Sequence, residues 1–198
     1  LPNLFGKWSV PNYNSVVATF CHNIARDLPV EVSNPDHLLQ LVYIDEVVRC
    51  FLRHLAPDFQ WNDFESVAET HEITLGDLAA RIQQFRDLRQ TLVIPDLSDG
   101  LTKYLYSTYL SFLPTQDFGY PVEMRSDDRG WLFELAKSKS FGQIFVSTTQ
   151  PNITRGNHFH DTKVEKFCLI QGQGIIRFRN IDSAEVIEYP VNQQQIKI

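Results

Sequence analysis

The sequence predicts an α/β segment followed by an all-β segment, joined near residue 113. Three observations carry this. Apolar residues recur at helical spacing as far as Leu113, with a strand-length apolar run among them. After Pro114, short β-rich stretches alternate with Gly, Asn, Asp or Pro. Between the two patterns, "LPTQDFGYP" breaks the helical period with two prolines and a glycine.

The elements follow in order. "SVVATFCHNIA" sets Val16, Phe20 and Ile24, with Val17 and Cys21, on one helical face, and Asn14 or Ser15 can cap it. "LLQLVYI" is an unbroken apolar run, the pattern of a strand covered on both faces. In "DEVVRCFLRHL", Asp45 is the expected N-cap, and Val47, Val48, Phe51, Leu52 and Leu55 form the apolar face. "TLGDLAARIQQF" has Thr74 as its cap and Asp77 three residues on, resembling a capping box. "SDGLTKYLYSTYLSFL" carries an aromatic and leucine stripe, which reads as core or subunit interface rather than a cofactor site. Beyond Pro114, "WLFELAK", "GQIFVSTT", "EKFCLIQ", "GIIRFRN" and "AEVIEYP" are strands of an antiparallel sandwich or barrel. The expected domains are therefore residues 1–113 and 114–198.

Composition excludes several function classes. The 198 residues are 43% hydrophobic, enough for one good core or two small ones. No apolar run approaches the ~20 residues of a membrane span, so no membrane insertion is expected. Pro2, Asn3, Gly6 and Lys7 break up the start, unlike a signal peptide. The net charge of -6 argues against a nucleic-acid groove, which needs a basic stripe. Cys21, Cys50 and Cys168 lack metal spacing and read as free thiols of a reducing compartment. A soluble cytoplasmic protein is expected. The polar run Gln193 to Gln195 is too short to interpret.

The densest chemistry lies in "RGNHFHDTKVEKF", from Arg155 to Phe167. His158 and His160 are two apart on an extended segment, so they point the same way. Asp161 to Val164 reads as a turn, and Glu165 begins the next strand, with Glu165, Phe167 and Leu169 facing inward. Two imidazoles and a carboxylate thereby converge, a ligand set that suits zinc, iron, nickel or manganese. Histidines on an exposed strand face would give the same pattern. Lys163 and Lys166 lie close by, and strand alternation turns Lys166 outward.

The spacing H-x-H-x4-E-x6-G, closing at Gly172 and with Gly156 just ahead, resembles the first motif of the cupin (jelly-roll) barrels. The resemblance implies metal ligands His158, His160 and Glu165, and a further histidine from a later motif. All 6 histidines lie at or before His160, so the cupin is expected to be incomplete, truncated after its first motif. "DDRGWLFEL", "FGQIFVS" and "ITRGNHFH" are similar to the nucleotide-sugar epimerases of the cupin class. That resemblance implies Arg155 as the holder of a diphosphate, which its planar fork suits, and His158 as the catalytic base. The two resemblances conflict over His158, since a coordinated nitrogen is not free to take a proton.

"LPNLFGKW", "PNYNSVVATFCHNIARDLPVEV" and "LVYIDEVV" resemble the C-terminal, substrate-binding part of an extended short-chain dehydrogenase/reductase acting on nucleotide sugars. This implies Asn3 as the foremost sugar contact, then Asn12 and Asn14, and keeps Asp45 as a cap rather than an acid. One departure is the region "HLLQLVYI", which lacks the arginine that often contacts the diphosphate. No glycine pattern of the dinucleotide-binding type occurs, and no tyrosine is followed four residues later by lysine. The cofactor domain is therefore expected N-terminal to Leu1, with the chain an internal or C-terminal piece of a longer protein.

Together these stretches resemble the bifunctional nucleotide-sugar epimerase/reductases of the UDP-N-acetyl-L-fucosamine pathway, which serves capsule or lipopolysaccharide O-antigen synthesis. The resemblance implies C3 epimerisation of a UDP-2-acetamido-2,6-dideoxy-4-ketohexose by the cupin, then C4 reduction with NADPH. It also implies zinc or another divalent transition metal in the cupin, a UDP-linked keto-deoxy sugar as partner, and a homo-oligomer. Two other classes stay open: a metal-dependent cupin oxygenase or isomerase of small metabolites, and a non-catalytic sugar-binding or dimerisation cupin.

Overall fold

The computed structural model of the protein describes residues 1–60, 64–192 and 196–197, which leaves the run Gln193 to Gln195 outside the described residues. The chain divides into two compact units, Leu1–Ile153 and Thr154–Ile198.

In the first unit, β1 (Asn3–Phe5), β2 (Leu38–Tyr43) and β3 (His71–Thr74) form a sheet in the order β1-β2-β3. β1 runs parallel to β2 and β3 runs antiparallel to it. The run read as a doubly covered strand is open at its start: Leu38 and Gln40 are exposed, while Leu39 and Leu41 through Tyr43 are buried. Helices α1 (Val16–Ile24), α3 (Leu75–Thr91) and α4 (Gly100–Leu110) contact one another. Phe5, Val17, Cys21, Leu41, Leu78, Ile82, Leu105 and Tyr109 lie in the core they share with the sheet. The α4 stripe is thus core. Burial pushes the Cys21 thiol far up, so it stays protonated and inert.

Caps fix where these helices begin. Ser15, not Asn14, caps α1 by accepting from the Ala18 amide at 3.3 Å. Thr74 accepts from the Asp77 amide at 3.1 Å to start α3. Asp99 starts α4, accepting from the Thr102 amide at 3.1 Å and from Arg81 at 2.8 Å.

Helix α2 (Ile44–His54) departs from the sequence reading twice. Its N-cap is Tyr43, whose side chain makes no cap bond, and Asp45 lies inside the first turn. There a carboxylate favours the helix through the macrodipole rather than by capping. Of the expected apolar face, Val47 is buried, whereas Val48, Phe51, Leu52 and Leu55 are exposed. The buried face carries Glu46 and Cys50 instead. Glu46 accepts from Arg49 at 2.6 Å and from the Tyr104 hydroxyl at 3.2 Å. Tyr104 stacks on Tyr43 with ring centroids 4.3 Å apart.

The same unit contains an antiparallel meander of β4 (Met124–Asp127), β5 (Gly130–Ser138) and β6 (Gly142–Ser147). The Lys137 amide donates to the Leu92 carbonyl at 2.7 Å, and the Ile94 amide to the Lys137 carbonyl at 2.8 Å. These bonds tie β5 to the end of α3. The expected boundary at 113/114 accordingly falls inside the first compact unit.

The second unit holds β7 (Phe167–Cys168), β8 (Gly174–Arg179), β9 (Val186–Val191) and β10 (Ile196–Lys197). β8 and β9 form a hairpin, and β10 pairs with β7. Among the described residues the strand expected from Glu165 covers Phe167–Cys168, both exposed, so Glu165 precedes the strand instead of opening it. Among the described residues the β-rich half forms ladders of two and three strands rather than one closed barrel.

Candidate functional site

The site lies in the second unit, on the loop between Thr154 and β7. Gly156 and Asn157 have φ of 93° and 64°, two consecutive left-handed residues directly ahead of His158. Glycine adopts that region freely and asparagine tolerates it, so this pair turns the chain into the histidine stretch. His158 and His160 then stand with ring centroids 4.8 Å apart and planes at 70°. His160 Nε2 is 3.5 Å from Glu165 Oε1.

One ligand atom each from His158, His160 and Glu165 can be chosen so that all lie within 4.8 Å of one another. At zinc bond lengths of about 2.1 Å, the donors of a tetrahedral site are about 3.4 Å apart. The His160–Glu165 pair already has that separation. The donor set therefore fits a divalent transition ion after small side-chain movements. Lys163 donates to Glu165 Oε1 at 2.5 Å. That bond first, then the charge of Lys163 and the neighbouring histidines, hold the Glu165 carboxyl below the usual range. An ionised carboxylate is the form that binds metal.

Arg155 is half-buried, three residues before His158, and Lys166 is exposed. The asparagines lie in the first unit. Asn3 sits in β1 and its side-chain amide donates to the Gln40 carbonyl at 3.1 Å, tying β1 to β2. Asn12 and Asn14 have φ of 58° and 51° in the loop before α1, and the Asn12 amide donates to Thr19 Oγ1 at 2.9 Å. Each thus has a local structural role. The residue that spacing alone did not put into the metal constellation is Lys163. Its only signal was a cation two residues from a candidate ligand.

Comparison with known proteins gives a class first. Residues 125–198 match the family described as "Polysaccharide biosynthesis C-terminal domain". Over all 198 residues the chain is 44% identical to a Pseudomonas aeruginosa protein named "UDP-2-acetamido-2,6-beta-L-arabino-hexul-4-ose reductase", of which it covers 53%. It also superposes on the capsular polysaccharide assembling protein CapF of Staphylococcus aureus. There the TM-score is 0.92 at 42% identity, over 99% of this chain and 53% of that one. A second CapF structure, with the inhibitor 3-isopropenyl-tropolone, gives a TM-score of 0.93 at 42% identity, over 99% of this chain and 57% of that one. The chain spans about half the length of the curated relative and solved chains it matches. These likenesses bear out the resemblance drawn from the sequence motifs. Among the described residues no helix is long and apolar enough to cross a membrane.

Proposed function

We propose that this chain belongs to an enzyme of capsule or O-antigen sugar synthesis that epimerises a UDP-linked 4-keto sugar at C3 and reduces it at C4. Residues 1–113 are the substrate lobe of a short-chain dehydrogenase/reductase, and 114–198 are the first part of a cupin. The observation that carries the reading is the convergence of His158, His160 and Glu165 within 4.8 Å, close behind Arg155. The names of the relatives and the start of the family match at residue 125 support it.

The residues divide the chemistry between them. A C4 ketone acidifies the C3 proton, so epimerisation precedes reduction. The Arg155 guanidinium pairs with the diphosphate in a planar, two-point contact. His158 takes the C3 proton, and a separate acid or water delivers a proton to the opposite face of the enolate to invert the centre. His160 and Glu165, with His158 where it is not the base, would hold a divalent ion, zinc first among them. Such an ion supplies Lewis-acid polarisation of the ketone or a structural tie. NADPH serves the reduction in the full-length protein, with its site largely outside these residues. Asn3, Asn12 and Asn14 contact the sugar, and the setting is a cytoplasmic homo-oligomer.

The test uses the full-length protein. Metal content is measured for wild type, His160→Ala and Glu165→Gln, alongside deuterium incorporation at C3 of the keto sugar without NADPH. Both variants should lose the metal. Unchanged stoichiometry in both would eliminate the site, and absence of C3 exchange in wild type would eliminate the epimerase.

A further inference from the structure

The Glu165 carboxylate has one partner more than metal binding requires. Its Oε1 atom faces His160 Nε2 at 3.5 Å and accepts from Lys163 Nζ at 2.5 Å. The lysine bond therefore ends on the oxygen turned toward His160. The pair is partly solvated, with the Lys163 side chain 48% and that of Glu165 32% exposed. Partly exposed ion pairs are weak and readily exchanged.

We propose that Lys163 is a built-in competitor for the metal: its ammonium neutralises Glu165 while no cation is bound, and a divalent ion must displace it to take the oxygen that faces His160. This rests on the metal reading above. Two effects act in the same direction. The ammonium occupies a ligand atom, and a second cation brought to that atom is repelled by the first. Removing the lysine therefore keeps the ligand and frees it. The opposite role, a lysine that orients the carboxylate for the metal, is common around ligand carboxylates. That role predicts the opposite sign.

Zinc affinity is measured by competition with a chromophoric chelator on the full-length wild type, Lys163→Gln and Lys163→Arg. Lys163 is exposed, so neither change threatens the fold. Lys163→Gln should bind zinc about two- to tenfold more tightly, the scale set by losing an exposed ion pair and a nearby positive charge. Lys163→Arg, which keeps the charge, should stay close to wild type. Equal or weaker binding in Lys163→Gln overturns the proposal. Failure of the wild type to bind zinc overturns the metal reading itself, and the competitor with it.

Discussion

Gly130 stands in "DDRGWLFEL", a stretch that the sequence points toward substrate chemistry, yet its geometry sets a structural demand. Its φ is +131°, and a Cβ built there would lie 2.4 Å from the Thr148 carbonyl oxygen. Ordinary contact at such a site begins at 3.4 Å, so Gly130→Ala requires about 1 Å of backbone displacement, against the limit set by close packing. That displacement pulls on two bonds of the β5–β6 pair: the Thr148 amide to the Trp131 carbonyl at 2.8 Å, and the Trp131 amide to Thr148 Oγ1 at 3.2 Å. Adding the cost of a side chain in a sparsely populated backbone region, the loss is about 2–6 kcal/mol. Gly142 is the internal control. Its φ is +88° but nothing lies within 4 Å of its added Cβ, so Gly142→Ala carries only the backbone cost, about 1–2 kcal/mol. Urea unfolding of the two variants, followed by tryptophan fluorescence and far-ultraviolet circular dichroism, makes the comparison. If Gly130→Ala were no less stable than Gly142→Ala, the close approach to Thr148 would not be what requires glycine.

Two further outcomes are expected. Asp99→Ala removes the α4 cap and should cost about 1 kcal/mol at neutral pH. The Thr102 hydroxyl foremost, then its amide and Arg81, hold the Asp99 carboxyl below the usual range. The advantage of the wild type should therefore be full above the ordinary Asp pKa of about 3.9 and fade as pH falls through the lower folded value. Urea midpoints of the two proteins that do not converge in acid would contradict this. Arg155→Lys in the full-length enzyme keeps the charge but loses the planar fork. Epimerisation at low substrate should fall about ten- to a hundredfold, one charged hydrogen bond's worth, while NADPH oxidation with pre-epimerised ketone stays near wild type. Equal losses in both assays would make Arg155 a support of the fold.

The helices were legible because their information is local. Ser15 and Thr74 cap the helices for which the sequence offered them, and Val17, Phe20, Cys21 and Ile24 behind Ser15 are buried on the face that was read. Helix α2 shows the limit of that logic. Its apolar residues mark a stripe, but a stripe does not say which neighbour covers it. The buried face is decided by Glu46, whose partners include Tyr104, 58 positions away. The β-rich half was legible as strand content and not as pairing. "EKFCLIQ" reads as a full strand, yet among the described residues it is Phe167–Cys168 that pairs, and its partner is Ile196–Lys197. Ladder formation depends on that distant segment, and nothing within the seven residues reveals it.

The candidate site was legible for a different reason: the spacing of its donors survives even though the route between them does not. Sequence placed Glu165 on a strand facing inward. The chain instead brings it to His160 from the residues before β7, and the donors still gather within 4.8 Å. A short connection of four residues between His160 and Glu165 keeps the carboxylate within reach of the imidazole in either conformation, because so short a span can hold its ends close at little cost in chain entropy. The same closeness sharpens the conflict over His158. Its ring lies 4.8 Å from that of His160, near enough to share an ion, and a nitrogen that shares an ion has no lone pair for a proton. His160 and Glu165 reach tetrahedral spacing without His158, at 3.5 Å. Geometry thus allows a division of labour in which those two anchor the ion and His158, entered from the left-handed pair Gly156 and Asn157, keeps its lone pair for the substrate.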